Sequence, residues 1–276
     1  MTESAALLTL VSYNIHRAVG GDGQTDHQRI AGVVMDLDAD LIALQEVETP
    51  LRPSSGAIGL LDRLRREGYA PVLGTTMRSA RSNYGNVLLS RLPLKVHRLH
   101  DLSRPKREPR GLIEAGLAVT ERNLIASDPE SLNELYCLAT HLGLRAAERR
   151  WQIARLAERI DQILQPAQGN RALILIGDFN EWRRGSRRLE SIGVRLEAAP
   201  ARRTYPARWP LLALDRLWFG GRLRLEDVKA VRTQVTRIAS DHLPLRATFR
   251  LGECATGSFP LGRPKYQVKL GPAESN

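Results

Sequence analysis

Two cysteines in 276 residues, Cys137 and Cys254, are too few for a disulfide framework or a structural zinc site. Aromatic residues make up only 5% of the chain, far from the interleaved aromatic and basic pattern of a dedicated nucleic-acid module. No run approaches the roughly 18 consecutive apolar residues of a membrane-spanning helix. The first ten residues, MTESAALLTL, lack a basic segment and a following small-residue cleavage site, which argues against a secretory leader and for a cytoplasmic protein. GxGxxG and GxxxxGK[ST] are both missing, so nothing supports dinucleotide or P-loop chemistry. There is no internal repeat and no long linker.

Lysine is scarce too. Of 41 basic residues five are lysine and the rest arginine, and against 30 acids the net charge is +11. That field favours polyanionic partners such as nucleic acid, acidic lipid headgroups or phosphorylated metabolites. Arginine suits bidentate phosphate contacts, and the same skew fits the codon composition of a GC-rich genome. Hydrophobic (42%) and charged (26%) fractions are ordinary for a globular chain long enough for a full-sized core.

Apolar runs at Leu8–Tyr13, 41–44, 70–75, 84–90, 112–119, 135–140, 173–176, 214–219 and 244–250 read as strands. Ile30, Val33, Val34 and Leu37 recur at helical spacing behind Thr25 and Gln28, which have the form of a capping box. A helix is expected over 57–67. A longer amphipathic one is expected over 145–164, with Arg149, Arg150, Arg155, Glu158 and Arg159 on a solvated face. About ten strands with helices between them make an α/β (α+β) protein: two packed mixed β-sheets flanked by helices, four layers in one domain over 1–252. Residues 253–276 read as an irregular basic tail.

The chemistry lies where the strands end. Asn14 closes VSYN, Glu46 closes LIALQE, His141 closes YCLATH, and Asp178 and Asn180 close LILIGDFN. Asp215 lies within ALDRLWF, and Asp241-His242 opens the last strand as SDHLPL. Side chains at neighbouring strand ends have little freedom and can converge. Carboxylate and amide oxygens are hard ligands suited to Mg2+ or Mn2+, and such an ion polarises phosphoryl oxygens. Histidines move protons or bond to phosphate. Taken singly, each motif reads as a turn or a cap. Their joint order along one chain points to phosphoester hydrolysis.

With SYNIH, LIALQEVE, NYGNVLLSR, ATHLGL, LIGDFNEW, LDRLWF and SDHLPL in this order, the chain resembles the endonuclease/exonuclease/phosphatase superfamily, the DNase I-like fold, over about residues 8–250. The resemblance implies that Glu46 binds metal, with Asn14 and Asp241 as further ligands. It implies that Asp178 and Asn180 position the attacking water and the scissile phosphate. His242 would act as general base or transition-state donor, oriented by Asp215, and His141 would contact the phosphate or leaving group. Arg110, in KREPRGLIEAGL, is the candidate phosphate clamp, and Tyr84 a weaker candidate for lining the cleft. Trp182 and Trp209, each near arginines, are expected at its rim. Three substrate readings stay open: a nuclease or phosphodiesterase, a phospholipid-headgroup or small-molecule phosphoesterase, and a catalytically dead phosphate-binding module. A monomer is the default.

Overall fold

Residues 7–51, 59–118, 134–165, 171–183 and 186–251 are described in a computed structural model of the chain. The LTLVSYN run forms β1 (Leu7–Asn14), which pairs in parallel with β2 (Leu41–Pro50). The helix that crosses between them, α1 (His27–Leu37), lays Ile30, Val33, Val34 and Leu37 onto the sheet. It is capped by Asp26, whose carboxylate accepts from the Arg29 N–H at 2.8 Å. The expected cap at Thr25 is therefore one residue early, because an ionised side chain displaces the hydroxyl as acceptor. After α2 (Leu60–Arg66), strands β3 (Ala70–Arg78) and β4 (Ser82–Ser90) complete one side of the first sheet.

The second half repeats this plan. β5 (Leu94–Asp101), β6 (Gly111–Leu117) and β7 (Glu134–His141) are antiparallel neighbours, and β7 then pairs in parallel with β8 (Arg171–Asp178) across α3 (Ala146–Ile163). Next come α4 (Arg187–Gly193), the two-residue β9 (Glu197–Ala198), β10 (Asp215–Gly220), β11 (Leu223–Ala230), the one-turn α5 (Thr236–Ala239) and β12 (Leu245–Leu251). The sheet orders are β11-β12-β1-β2-β4-β3 and β5-β6-β7-β8-β10-β9, each with one parallel pair at its centre. The sequence carries no detectable repeat, yet the topology is duplicated.

Three apolar clusters fill the three interfaces of a four-layer α/β/β/α sandwich. Leu10, Ala43, Leu88, Ile113, Cys137, Ile174 and Phe249 meet between the sheets. Val11, Ile42 and Leu44 face α1 and α2, while Leu138, Leu173 and Leu175 face Ile153, Leu156 and Ile160 of α3. Alternate strand residues thus serve two cores, and each fully buried Leu or Ile stabilises by roughly 1.5–3 kcal/mol. β5, β9, β11, α4 and α5 were not anticipated. They are short or, like β5, largely exposed, and carry little apolar periodicity. The last strand starts at Leu245, so Asp241 and His242 lie in the preceding loop. Arg149 does not lie on a solvated face: it is buried, paired with Glu181 at 3.4 Å and bonded to the Gly143 carbonyl. The tail expected from residue 253 lies outside the described residues. Among those described, no helix is long and apolar enough to cross a membrane.

Candidate active site

Parallel pairing places Asn14 beside Gln45 and His141 beside Asp178, so both parallel pairs end at one edge of the sandwich. A bulge between Leu44 and Val47 releases Glu46 from the β2 ladder. Ile42, Leu44 and Val47 share the outer core, so Glu46 is the extra residue, and its φ of 57° turns it out of the pleat. Asn14, 2% exposed, donates from Nδ2 to Glu46 Oε1 at 3.0 Å and to Asp178 Oδ2 at 3.2 Å. Its amide oxygen is turned away and accepts from the His16 N–H. In this arrangement Asn14 ties the two sheets' carboxylates together.

Asp178 is the hub. Its Oδ1 accepts from the Asn180 N–H at 2.9 Å, while Oδ2 stands 3.5 Å from His141 Nε2 and 3.7 Å from His242 Nε2. Gly177 makes the turn possible: a Cβ there would lie 1.9 Å from the Thr140 carbonyl oxygen, and its φ is 152°. Asn180 then takes the left-handed conformation (φ 50°) that asparagine tolerates.

His141 is buried, and Arg110 Nη1 is 3.2 Å from its Nδ1. A guanidinium has no acceptor, so Nδ1 carries the lone pair and Nε2 the proton, directed at Asp178. The Asn180 amide nitrogen, 3.1 Å from Nε2, donates instead to the Leu142 carbonyl at 2.8 Å. Burial holds this imidazole down at about 3, with Arg110 and His242 lowering it further against the pull of Asp178. Arg110 is itself buried, pairs with Glu108 at 2.9 Å and lines the cleft.

Asp215 lies opposite Asp178 in the β8–β10 register, and His242 sits between the two carboxylates. Its Nδ1 bonds to Asp215 Oδ2 at 2.9 Å, which also accepts from the Thr204 hydroxyl at 2.5 Å. Burial alone would depress His242. The charge and hydrogen bond of Asp215, with Asp178 and Asp241, outweigh it and hold the ring up at about 10. Tyr205 packs against the imidazole at 4.9 Å, and the Ser240 hydroxyl donates to the Asn14 carbonyl at 2.7 Å.

These groups open into a cleft of about 660 Å³ whose lining includes Asn14, Glu46, Arg110, His141, Asp178, Asn180, Asp241 and His242. Asp215 lies behind it, and Tyr84 lines it with the Arg17 guanidinium 4.6 Å over its ring. Trp182 and Trp209 are exposed, and neither lines the cleft. Thr204, Tyr205, Ser240, Arg17 and Glu108 were missed as site residues. Ser240 was within reach as the first letter of SDH, whereas RRTYP has no spacing that marks Thr204 as a partner of Asp215.

The donor set fits a hard cation. Glu46 Oε2 and Asp241 Oδ2 take no hydrogen bond among the described residues, and Glu46, Asp178 and Asp241 leave the cleft rich in carboxylate. No group of three or more His, Cys, Asp or Glu forms a ready cage among those residues. Magnesium needs none, since it keeps several waters and takes one or two carboxylates.

A model of the Endonuclease/Exonuclease/phosphatase family matches residues 11–242. The protein YbhP of Escherichia coli (strain K12) is 30% identical over 176 residues, 61% of this chain, and the chain spans 64% of the length of that curated relative. The endonuclease/exonuclease/phosphatase from Beutenbergia cavernae DSM 12333 superposes with a TM-score of 0.70 at 22% identity, over 90% of this chain and 72% of that one. The human Nocturnin catalytic domain with bound sulfate anion gives 0.67 at 19% identity, over 89% and 94%. At these identities the likeness to the solved structures is one of fold.

Proposed function

The chain belongs to the Endonuclease/Exonuclease/phosphatase family, and from that premise we propose that it hydrolyses phosphodiesters by in-line attack of water on phosphorus, with Mg2+ or Mn2+ as cofactor. The observation that carries this reading is the position of Asp178 Oδ2, within 3.2 Å of Asn14, 3.5 Å of His141 and 3.7 Å of His242 at the cleft floor. A carboxylate so surrounded can orient a water and accept its proton. Glu46 and Asp241 are the residues that would hold the ion, whose chemistry is to offset charge on phosphoryl and leaving oxygens.

His242 is fixed through Nδ1 by Asp215 and presents Nε2 to the cleft, where as a cation it donates to a phosphoryl oxygen. Of the two roles open to it in the sequence, donor suits this geometry better than base. His141, neutral and protonated on Nε2, offers a second donor, and Arg110 keeps that tautomer in place.

The test is hydrolysis of bis-p-nitrophenyl phosphate and p-nitrophenyl phosphate with Mg2+, Mn2+ or EDTA, beside Glu46→Ala. Diester cleavage should require metal and fall by roughly 10²-fold or more in the variant. Cleavage of the monoester alone, or diester cleavage that survives EDTA, would sink this assignment. No cleavage of either ester would favour a binding module.

A further inference from the structure

Away from the cleft, most arginines on the outer helical layer have an acid to match. Arg155 pairs with Glu158, Arg159 with Glu114 and, just past α4, Arg195 with Asp161. A concavity of about 640 Å³ between α3 and α4 breaks this rule. Arg150, Arg183, Arg187 and Arg188 line it, and among the described residues no acid does. Arg188 shares Glu181 with the buried Arg149, so that carboxylate is already spent on two guanidinium groups. Arg150, Arg183 and Arg187 take no ion pair among the described residues. The Ser186 hydroxyl oxygen, also in the lining, is buried there with no hydrogen-bond partner among the described residues. Guanidinium groups gathered around one hollow repel each other, and a bound anion would relieve that repulsion.

This hollow adjoins the cleft along the chain. Arg183 follows Asn180 by three residues, and α3 begins just beyond Leu144, which lines the cleft. Between Asn180 and Arg183 stands Trp182, 56% exposed, with the Arg183 guanidinium 5.4 Å from its ring centroid. A flat exposed ring flanked by a phosphate-binding cleft and an arginine hollow has the order phosphate, base, phosphate of a nucleic-acid strand.

We propose that the Arg150–Arg183–Arg187–Arg188 hollow is a second phosphate subsite, which holds backbone phosphates of a polynucleotide strand next to the phosphate in the cleft, with Trp182 as the stacking surface between them. The proposal rests on the phosphodiesterase reading and extends it to substrate class. A lone headgroup or small ester would fill the cleft and leave the hollow empty.

The experiment measures binding without turnover: fluorescence anisotropy of a labelled single-stranded oligonucleotide of about 12 bases in EDTA, at several salt concentrations. R150A/R187A is compared with wild type and with R65A/R98A, which removes the same charge at two exposed arginines of α2 and β5. Each lost phosphate contact lowers the slope of log affinity against log salt by about 0.7, so R150A/R187A should lose about 1.4 and bind roughly tenfold more weakly near 0.1 M salt. R65A/R98A should match wild type. Equal losses in both double variants would mean diffuse attraction and overturn the subsite. So would equally tight binding of a dinucleotide and the oligonucleotide. Weakened binding to phosphatidylglycerol vesicles with oligonucleotide binding unchanged would assign the hollow to a lipid surface and overturn the strand. No hydrolysis enters these measurements, so failure of the ester assay would count against the reaction and not against this subsite.

Discussion

Replacing His141 by glutamine removes a titrating ring from the floor of the cleft while keeping a polar side chain beside Arg110 and Asp178. In the folded chain burial holds the imidazole down at about 3, whereas in the unfolded chain it titrates near the ordinary 6.5. Between these values the unfolded state binds the proton and the folded state refuses it. This group's contribution is therefore fully present above about pH 6.5 and is lost as pH falls toward 3. From pH 7.5 to 5.0 the gap between the unfolded value and the solution pH reaches 1.5 units, which at 1.36 kcal/mol per unit is about 2 kcal/mol. A folded value one unit higher leaves that figure almost unchanged. Urea unfolding of wild type and His141→Gln in EDTA, at half-unit steps across this range, isolates the term, because carboxylates and the other histidines contribute to both proteins. The wild type should lose about 2 kcal/mol more than the variant on acidification. Parallel curves would refute the argument, since they would mean that the ring either reaches solvent or is protonated in the folded protein.

Gly177→Ala should destabilise by about 3 kcal/mol or more, because its Cβ meets the Thr140 carbonyl at 1.9 Å and its φ of 152° excludes other residues. An unchanged urea midpoint would contradict this. Asp215→Asn keeps an acceptor near His242 Nδ1 but removes the charge, and should lower diester kcat by about 10²-fold with KM little altered. A rise in KM alone would place Asp215 in substrate binding and not in orienting the ring.

The two carboxylates opposed across β8 and β10 explain why the histidines diverge. His242 lies between Asp178 and Asp215 and is held in its charged form. His141 shares Asp178 but faces the Arg110 guanidinium, and burial prevails. Two rings that touch the same carboxylate oxygen thus sit in opposite protonation states at neutral pH, one a cation and one a neutral donor. Such divergence is how one cleft holds groups for different proton roles.

The amino-acid sequence determined the strands that carry alternating or continuous apolar runs, the two long helices, the four-layer class and the polar letters at strand ends. These are local properties: period, cap and turn chemistry act within a few residues, and Asn14, Glu46, Asp178, Asn180 and His242 all stand beside apolar runs that mark them. What only the tertiary structure decided is who meets whom. Asn14 reaches Asp178 across 164 positions of chain, and no periodicity encodes that contact. Arg149 looked like one more arginine on a wet helix face until Glu181 arrived from the segment just after β8 to bury it. Arg110 gained its place beside His141, Thr204 its bond to Asp215, and Glu46 its outward turn, through partners on other strands and through a bulge that register alone creates. Hydrophobic pattern records which face of an element is buried. The geometry of the cleft depends on which elements the core brings together, and that is settled only when the two sheets pack.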